Sequence, residues 1–246
     1  MKLLVCISKT PDTTSKIAFT DNDTQFSTAG VQFILNPYDE WYALVRACEL
    51  KEAHGGTVTV INVGEADNDQ IIRKALAIGA DDAVRVNAFP ISAFFVSENI
   101  AAYAKANDFD IIFFGKETID FNGSEVGGMV SELLDLPYIS YANALTVEGN
   151  TATIDREIEG GKETVEVQFP FAVSAAKGMA EQRIASMQGI MKARSKPLVV
   201  LEPVELKQVL QLVSFALPPA KTGCKYVDAD NVPELVRLLH EEAKVI

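Results

Sequence analysis

The chain has 246 residues, 48% hydrophobic and 23% charged, enough apolar material for one large domain or for one domain with an appendage. That balance excludes a disordered chain. A net charge of −12 argues against nucleic acid or an anionic membrane as a partner, because their binders concentrate positive charge. Three cysteines, Cys6, Cys48 and Cys224, are odd in number and far apart. They argue against a disulfide framework or a CxxC site and point to a reducing, cytoplasmic setting.

The opening MKLLVCISKTPD has a short apolar run with no small-residue cleavage site behind it, so a first strand is expected there rather than a signal peptide. No stretch approaches the roughly 18 apolar residues of a membrane span. LLVCI (3–7), TVTVINV (57–63), DAVRV (82–86) and DIIFF (110–114) read as short buried strands. Helix-length segments separate them. WYALVRACELKEA (41–53) places Leu44, Val45 and Cys48 on one face, and IIRKALAIGA (71–80) does the same with Ile71, Ile72, Ala75 and Leu76. NIAAYAKAN (99–107) continues the pattern, and Val126, Met129, Val130, Leu133 and Leu134 keep helical spacing. Strands alternating with helices predict an α/β fold: an open, mostly parallel sheet with helices on both faces.

After Pro137 the texture changes. ALTVEGNTATIDREIEGGKETVEVQFPFAVSA alternates about two glycine turns, Gly149-Asn150 and Gly160-Gly161, which predicts an antiparallel β-meander extending the sheet over about 138–175. A polar, methionine-bearing stretch runs from Lys177 to Lys196 and leads into the strand-like PLVVLEPV. Residues 203–230 have weak periodicity. The final VPELVRLLHEEAKVI reads as a helix with Pro233 near its first turn and a stripe of Leu235, Leu238 and Leu239. The expected organisation is therefore an α/β domain over 1–200 and a C-terminal arm over 201–246, suited to packing on another subunit.

Catalytic signals are absent where they would be sought. His54 lies beside Gly55-Gly56 at a helix end, and His240 lies next to Glu241 and Glu242 on a charged face. Neither is matched to a nucleophile, and GxSxG does not occur. The chain reads as a nucleotide holder rather than a self-sufficient catalyst. GKETIDFNGSEVGG (115–128) has the layout of strand, glycine-bearing loop and helix start, yet it contains neither GxGxxG nor GxxxxGK[ST]. Asp120, Asn122 and Ser124 are cap- or turn-forming, Gly123 permits close approach, and the helix start can receive a single phosphate. A plain capped turn would read the same way. LNPYDEW (35–41) and the VGEA turn (63–66) would converge on the same carboxyl edge of a parallel sheet.

Several of these stretches, in order along the whole chain, resemble the β subunit of electron transfer flavoprotein. They are NPYDEW with ACELKE (36–52), ALAIGADDAVRV (75–86), GKETID (115–120), IDREIEGGKETVEVQFPFAV (154–173), IMKARSKP (190–197) and PPAKTGCKYVD (218–228). Ala172 departs from the usual larger aliphatic. The resemblance implies an adenine nucleotide α-hydrolase-like fold and a heterodimer with an α subunit that holds most of an FAD site. This chain would carry a structural AMP. The AMP contacts carried over are Cys6, Asn36, Pro37, Tyr38, Asp39 and Val63, together with the loop Gly115, Lys116, Glu117, Thr118, Ile119, Asp120, Phe121, Asn122, Gly123, Ser124, Glu125 and Val126.

The resemblance also implies a recognition loop over 175–197 that docks on acyl-CoA dehydrogenases or similar flavoenzymes. The electrons would then pass to a membrane quinone oxidoreductase or another acceptor. Met187 falls at the family's apolar anchor, Arg183 lies beside it between Gln182 and Ile184, and Glu157 matches a residue near the flavin-domain interface. By spacing alone, Ile184, Met187, Ile190 and Met191 read as a helix's core stripe; the resemblance reverses that reading. Bifurcating relatives hold a second FAD in place of AMP, with a loop resembling D-G-D-T-x-x-V-G-P. Here Phe121 and Gly128 depart from it, which favours AMP. A stand-alone adenine-nucleotide sensor is a further alternative.

Overall fold

The structure is a computed structural model that describes residues 1–206, 210–221 and 223–246; of the expected arm at 201–246, residues 207–209 and 222 lie outside the described residues. In chain order come β1 (Lys2–Cys6), β2 (Lys9–Pro11), β3 (Phe19–Thr20), β4 (Gln25–Phe26) and β5 (Phe33–Leu35). Next are α1 (Asp39–His54), β6 (Thr57–Val63), α2 (Asp69–Ile78), β7 (Asp82–Val86), α3 (Ala93–Lys105), β8 (Ile111–Gly115) and α4 (Val126–Leu134). The remainder is β9 (Tyr138–Glu148), β10 (Thr151–Ile158), β11 (Gly161–Gln168), β12 (Phe171–Ala175), α5 (Met187–Ala193), β13 (Leu198–Leu201) and α6 (Val232–Arg237). Two compact units result: Met1–Ile17 with Ser27–Val213, and Ala18–Phe26 with Ser214–Ile246.

The first unit is built on a nine-stranded sheet in the order β11-β10-β9-β12-β8-β1-β6-β7-β13. From β9 to β13 every neighbouring pair is parallel, while β10 and β11 add on antiparallel; the extension expected over 138–175 is antiparallel only through β11, because β12 returns to run parallel between β9 and β8. The apolar runs are buried on both faces because side chains alternate across a strand. Leu3, Val5, Val58, Val60, Ile111 and Phe113 join the α1 and α2 side with Leu44, Ile72 and Leu76. Leu4, Cys6, Ile61, Val84, Ile112 and Phe114 join the other side with Ile100 of α3 and Val130 of α4. Each fully buried Leu or Ile contributes ~1.5–3 kcal/mol, so these two cores hold the carboxyl ends of the strands in a fixed array.

Several boundaries move by one or two residues, the C-terminal helix is α-helical only over Val232–Arg237 and continues as a π-helix over Leu238–Ala243, and two further differences have a local cause. Helix α3 starts at Ala93, six positions before the predicted periodic segment, because Ser92 caps it by accepting from the Phe95 N–H (3.1 Å). The second hairpin turns at Glu159-Gly160, with Ile158 opposite Gly161, rather than at Gly160-Gly161. Only Gly160 needs the left-handed backbone there (φ 83°).

The sheet has two unlike rims. At β11, Lys162 pairs with Asp155 (2.7 Å) and Glu163 faces Arg156 (3.6 Å), so the rim is charged. At β13 the strand is Leu-Val-Val-Leu, with Val199 and Val200 exposed.

In the second unit β3 pairs antiparallel with β4, and Phe19 stacks on Phe215 with centroids 4.8 Å apart. Asn231 caps α6 by accepting from the Glu234 N–H (3.3 Å), and no residue of α6 is buried. Among the described residues no helix is long and apolar enough to cross a membrane.

Candidate functional site

The chain leaves the central strand β1 toward β6 and β7, then crosses to β8 and β12 on the other side. That reversal opens a crevice between the carboxyl ends of β1 and β8, the place where open parallel sheets hold ligands. Asn36 lies at the base of the crevice, fully buried. Its N–H donates to the Ser8 carbonyl (3.0 Å), its side-chain amide donates to the Glu117 carbonyl (3.0 Å), and its Oδ1 accepts from the Ile119 N–H (3.1 Å). One residue therefore ties the loop after β1, through its backbone N–H, to the loop after β8, through its side chain.

Glu40, in the first turn of α1, is also buried, and accepts from both the N–H (2.6 Å) and the hydroxyl (2.7 Å) of Ser8. Burial pushes its carboxyl up to about 8; the two Ser8 bonds oppose this, and the carboxylates of Asp120 and Asp39 add to it. Gly115 is what lets α1 come this close. A Cβ there would lie 2.6 Å from Glu40 Cγ and 2.8 Å from the Glu40 nitrogen. Burial, and then Glu40, also pushes the Cys6 thiol well up. The Asp39 carboxyl is raised by burial against the pull of Lys116.

Above this base lies a cleft of about 300 Å³ lined by Pro37, Tyr38, Asp39, Tyr42, Lys116, Glu117, Ile119 and Lys177. Lys116 pairs with Glu117 (3.0 Å) and lies 5.6 Å from the centre of the Tyr141 ring. The two lysines bring positive charge to a rim that is otherwise acidic. Tyr38 sits at the α1 N-cap with φ 62° and makes no side-chain cap, so Pro37 precedes the helix rather than lying inside its first turn.

At the start of α4 the turn-forming alternative holds. Glu125 occupies the N-cap position without a side-chain bond, and Asn122 and Ser124 supply left-handed turns (φ 50° and 53°) instead of caps. Gly127 is closely packed, because a Cβ would come within 2.6 Å of the Tyr138 hydroxyl at the far end of that side chain. Gly128 is not, since its nearest neighbour would be 3.8 Å away. The first-turn N–H groups of α4 lack helix partners by construction and carry the positive end of its dipole.

The profile described as the electron transfer flavoprotein domain matches residues 23–206. The electron transfer flavoprotein subunit beta of Bacillus subtilis is 37% identical over the full length of both chains. The subunit beta of Syntrophomonas wolfei is 34% identical over 94% of this chain and 92% of its own. The human subunit beta is 31% identical over all of this chain and 99% of its own. The chain belongs to the electron transfer flavoprotein β-subunit family.

The residues expected from the sequence to contact a nucleotide fall into three layers. Pro37, Tyr38, Asp39, Lys116, Glu117 and Ile119 line the cleft. Asn36 and Gly115 lie beneath it, and Cys6 and Val63 end β1 and β6, both buried. Thr118 is half-buried, Asp120 to Glu125 are exposed, and Val126 opens α4. Phe121 is 77% exposed, so its ring is not packed into the protein. Sequence reasoning missed Ser8 and Glu40 as bonded partners, and Tyr42 and Lys177 as lining. Tyr42 follows Tyr38 by one helical turn, a signal that was available. Lys177 follows β12, and its place becomes visible only once β12 is known to lie beside β8.

The remaining family positions lie elsewhere. Glu157 is exposed on β10 and accepts from the Asn143 side-chain amide (3.4 Å). Met187 is 77% exposed at the start of α5, with Ile184 at 83% and Met191 at 70%. The core-stripe reading of these residues is thus overturned. Helix α5 turns Ala193 inward and brings Gly189 against α2, where any side chain would strike the Ala77 carbonyl.

Proposed function

We propose that this chain is the nucleotide-holding subunit of a two-subunit electron carrier. AMP would sit in the β1/β8 crevice as a structural ligand, and an α subunit would hold most of an FAD. The observation that carries the reading is the Asn36 clamp, which sets two loops around a polar cleft at the topological switch point. The residues fit the group. A volume of about 300 Å³ is at the small end of ligand clefts and suits a mononucleotide better than a dinucleotide. Lys116, Lys177 and the first turn of α4 are suited to a phosphate.

The flavin supplies the electron chemistry when bound. This chain's residues position and shield. Asn36 and Glu40 order the base of the cleft, and the exposed Met187 region offers an adaptable apolar contact to acyl-CoA dehydrogenases or similar flavoenzymes. A membrane quinone oxidoreductase or another acceptor would receive the electrons. Three free thiols, two of them buried, suit a reducing compartment such as the cytoplasm.

The test is to produce the chain together with its α subunit, denature the purified complex and quantify the released nucleotides. One AMP and one FAD per heterodimer are expected. Two FAD without AMP would overturn the structural-AMP reading, and a stable homo-oligomer lacking flavin would overturn the heterodimer.

A further inference from the structure

Arg183 lies beside the apolar anchor, where a direct contact with the docking partner would be the simple reading. Its bonds point inward instead. The guanidinium forks the Glu52 carboxylate of α1 with two bonds, 2.7 and 3.0 Å. Its backbone carbonyl accepts from the indole N–H of Trp41 (3.1 Å), a nearly buried side chain whose ring carries the Lys74 ammonium 4.7 Å from its centre. The far end of the segment is held as well. Arg73 donates to the carbonyls of Ala193 (2.8 Å) and Lys196 (2.6 Å), and the Lys196 ammonium donates to the carbonyls of Leu76 (2.9 Å) and Ala80.

Between these two anchors the chain exposes Ile184, Met187, Ile190 and Met191. Apolar side chains held out in water would gain by folding back, and the bracket prevents it. A surface already in its bound shape loses less entropy on association, so the anchors act on affinity without touching the partner.

We propose that Arg183 is a positioning residue: clipped to Glu52 and Trp41, it presets the 184–191 face for docking and makes no essential contact with the partner itself. The inference rests on the docking reading given above. It applies to a flavoenzyme donor with an apolar recess complementary to that face.

The test uses the heterodimer as electron acceptor for a medium-chain acyl-CoA dehydrogenase reduced with octanoyl-CoA. Glu52→Ala, Arg183→Glu, the exchanged pair Glu52→Arg with Arg183→Glu, and Met187→Ser are compared. Glu52→Ala and Arg183→Glu are expected to raise the KM for the heterodimer roughly 3- to 10-fold with kcat unchanged. Amide exchange across 183–191 should quicken in both. The exchanged pair should restore both readouts, because it rebuilds the clip while reversing each charge that a partner would meet.

If Met187→Ser raises KM while Glu52→Ala leaves KM and exchange unchanged, the clip is overturned and the docking reading survives. An exchanged pair that recovers slow amide exchange without recovering KM would make Arg183 a direct contact and also overturn the proposal. If Met187→Ser leaves KM unchanged, the docking reading fails and the proposal falls with it.

Discussion

The crevice at 36–40 and 115–119 and the face at 184–191 are both preorganised, by opposite means. In the crevice, polar groups are buried and each is answered from within: Asn36 by three backbone groups, Glu40 by Ser8. On the face, apolar groups are exposed and the holding is done at the ends, by Arg183 and Lys196. Burial makes the first region sensitive to any lost partner, because an unmet polar group in the interior is costly. Exposure makes the second nearly indifferent to composition in stability terms, leaving its side chains free to answer to a partner.

The largest effect should come from breaking the clamp. Asn36→Ala removes two side-chain bonds and strands the Ile119 N–H and the Glu117 carbonyl, for a loss of ~2–4 kcal/mol. Urea unfolding of the purified heterodimer would measure it, and the released nucleotide should fall with it. Retained stability and full nucleotide content would contradict the role given to Asn36.

Gly115→Ala comes next, at ~1–3 kcal/mol, since the added carbon meets both the side chain and the backbone of Glu40. Gly128→Ala, thirteen residues on, meets only an ordinary contact with the Tyr138 ring at 3.8 Å and should cost much less. Thermal melts of the two variants side by side give a direct contrast.

Glu40 supplies the pH dependence. A carboxyl raised from its ordinary 4.5 to about 8 keeps a proton in the folded state that the unfolded chain has lost between those values. Its contribution therefore weakens stability as pH climbs from about 4.5 toward 8 and levels off above, at up to ~1.4 kcal/mol per pH unit. Asp39 is raised too and adds a lesser slope of the same sign. Glu40→Gln keeps an acceptor for the Ser8 N–H and cannot titrate, so its stability between pH 5 and 8 should be visibly flatter. An unchanged slope would mean that Glu40 does not carry it.

The smallest effect belongs to the exposed face. Met187→Ser should alter unfolding free energy by less than ~0.5 kcal/mol. A larger loss would mean that the methionine packs within the protein, and the contrast between the two regions would collapse.

How much was legible in the sequence follows the same division. Strands 57–63 and 82–86 match end to end, because a short run rich in Val, Thr and Ile between polar or glycine stops marks a buried parallel strand. The start of α3 was not legible from periodicity, since Ala93 to Val96 are all apolar and only Ser92 marks the entry. The clamp was out of reach: Asn36 meets partners 81 and 83 residues away, and nothing local says which loop returns beside which. The exposure of Met187 opposed its spacing. Helical periodicity records that apolar residues share a face, and says nothing about whether that face looks inward.

The two rims of the sheet carry a consequence for how the protein must be handled. An edge strand offers an open row of backbone donors and acceptors, and charge is what keeps a second chain from adding to it. Among the described residues the β11 rim has that protection, and the Leu198–Leu201 strand carries no charge of its own. Made alone and at high concentration, the chain should aggregate from its β13 side.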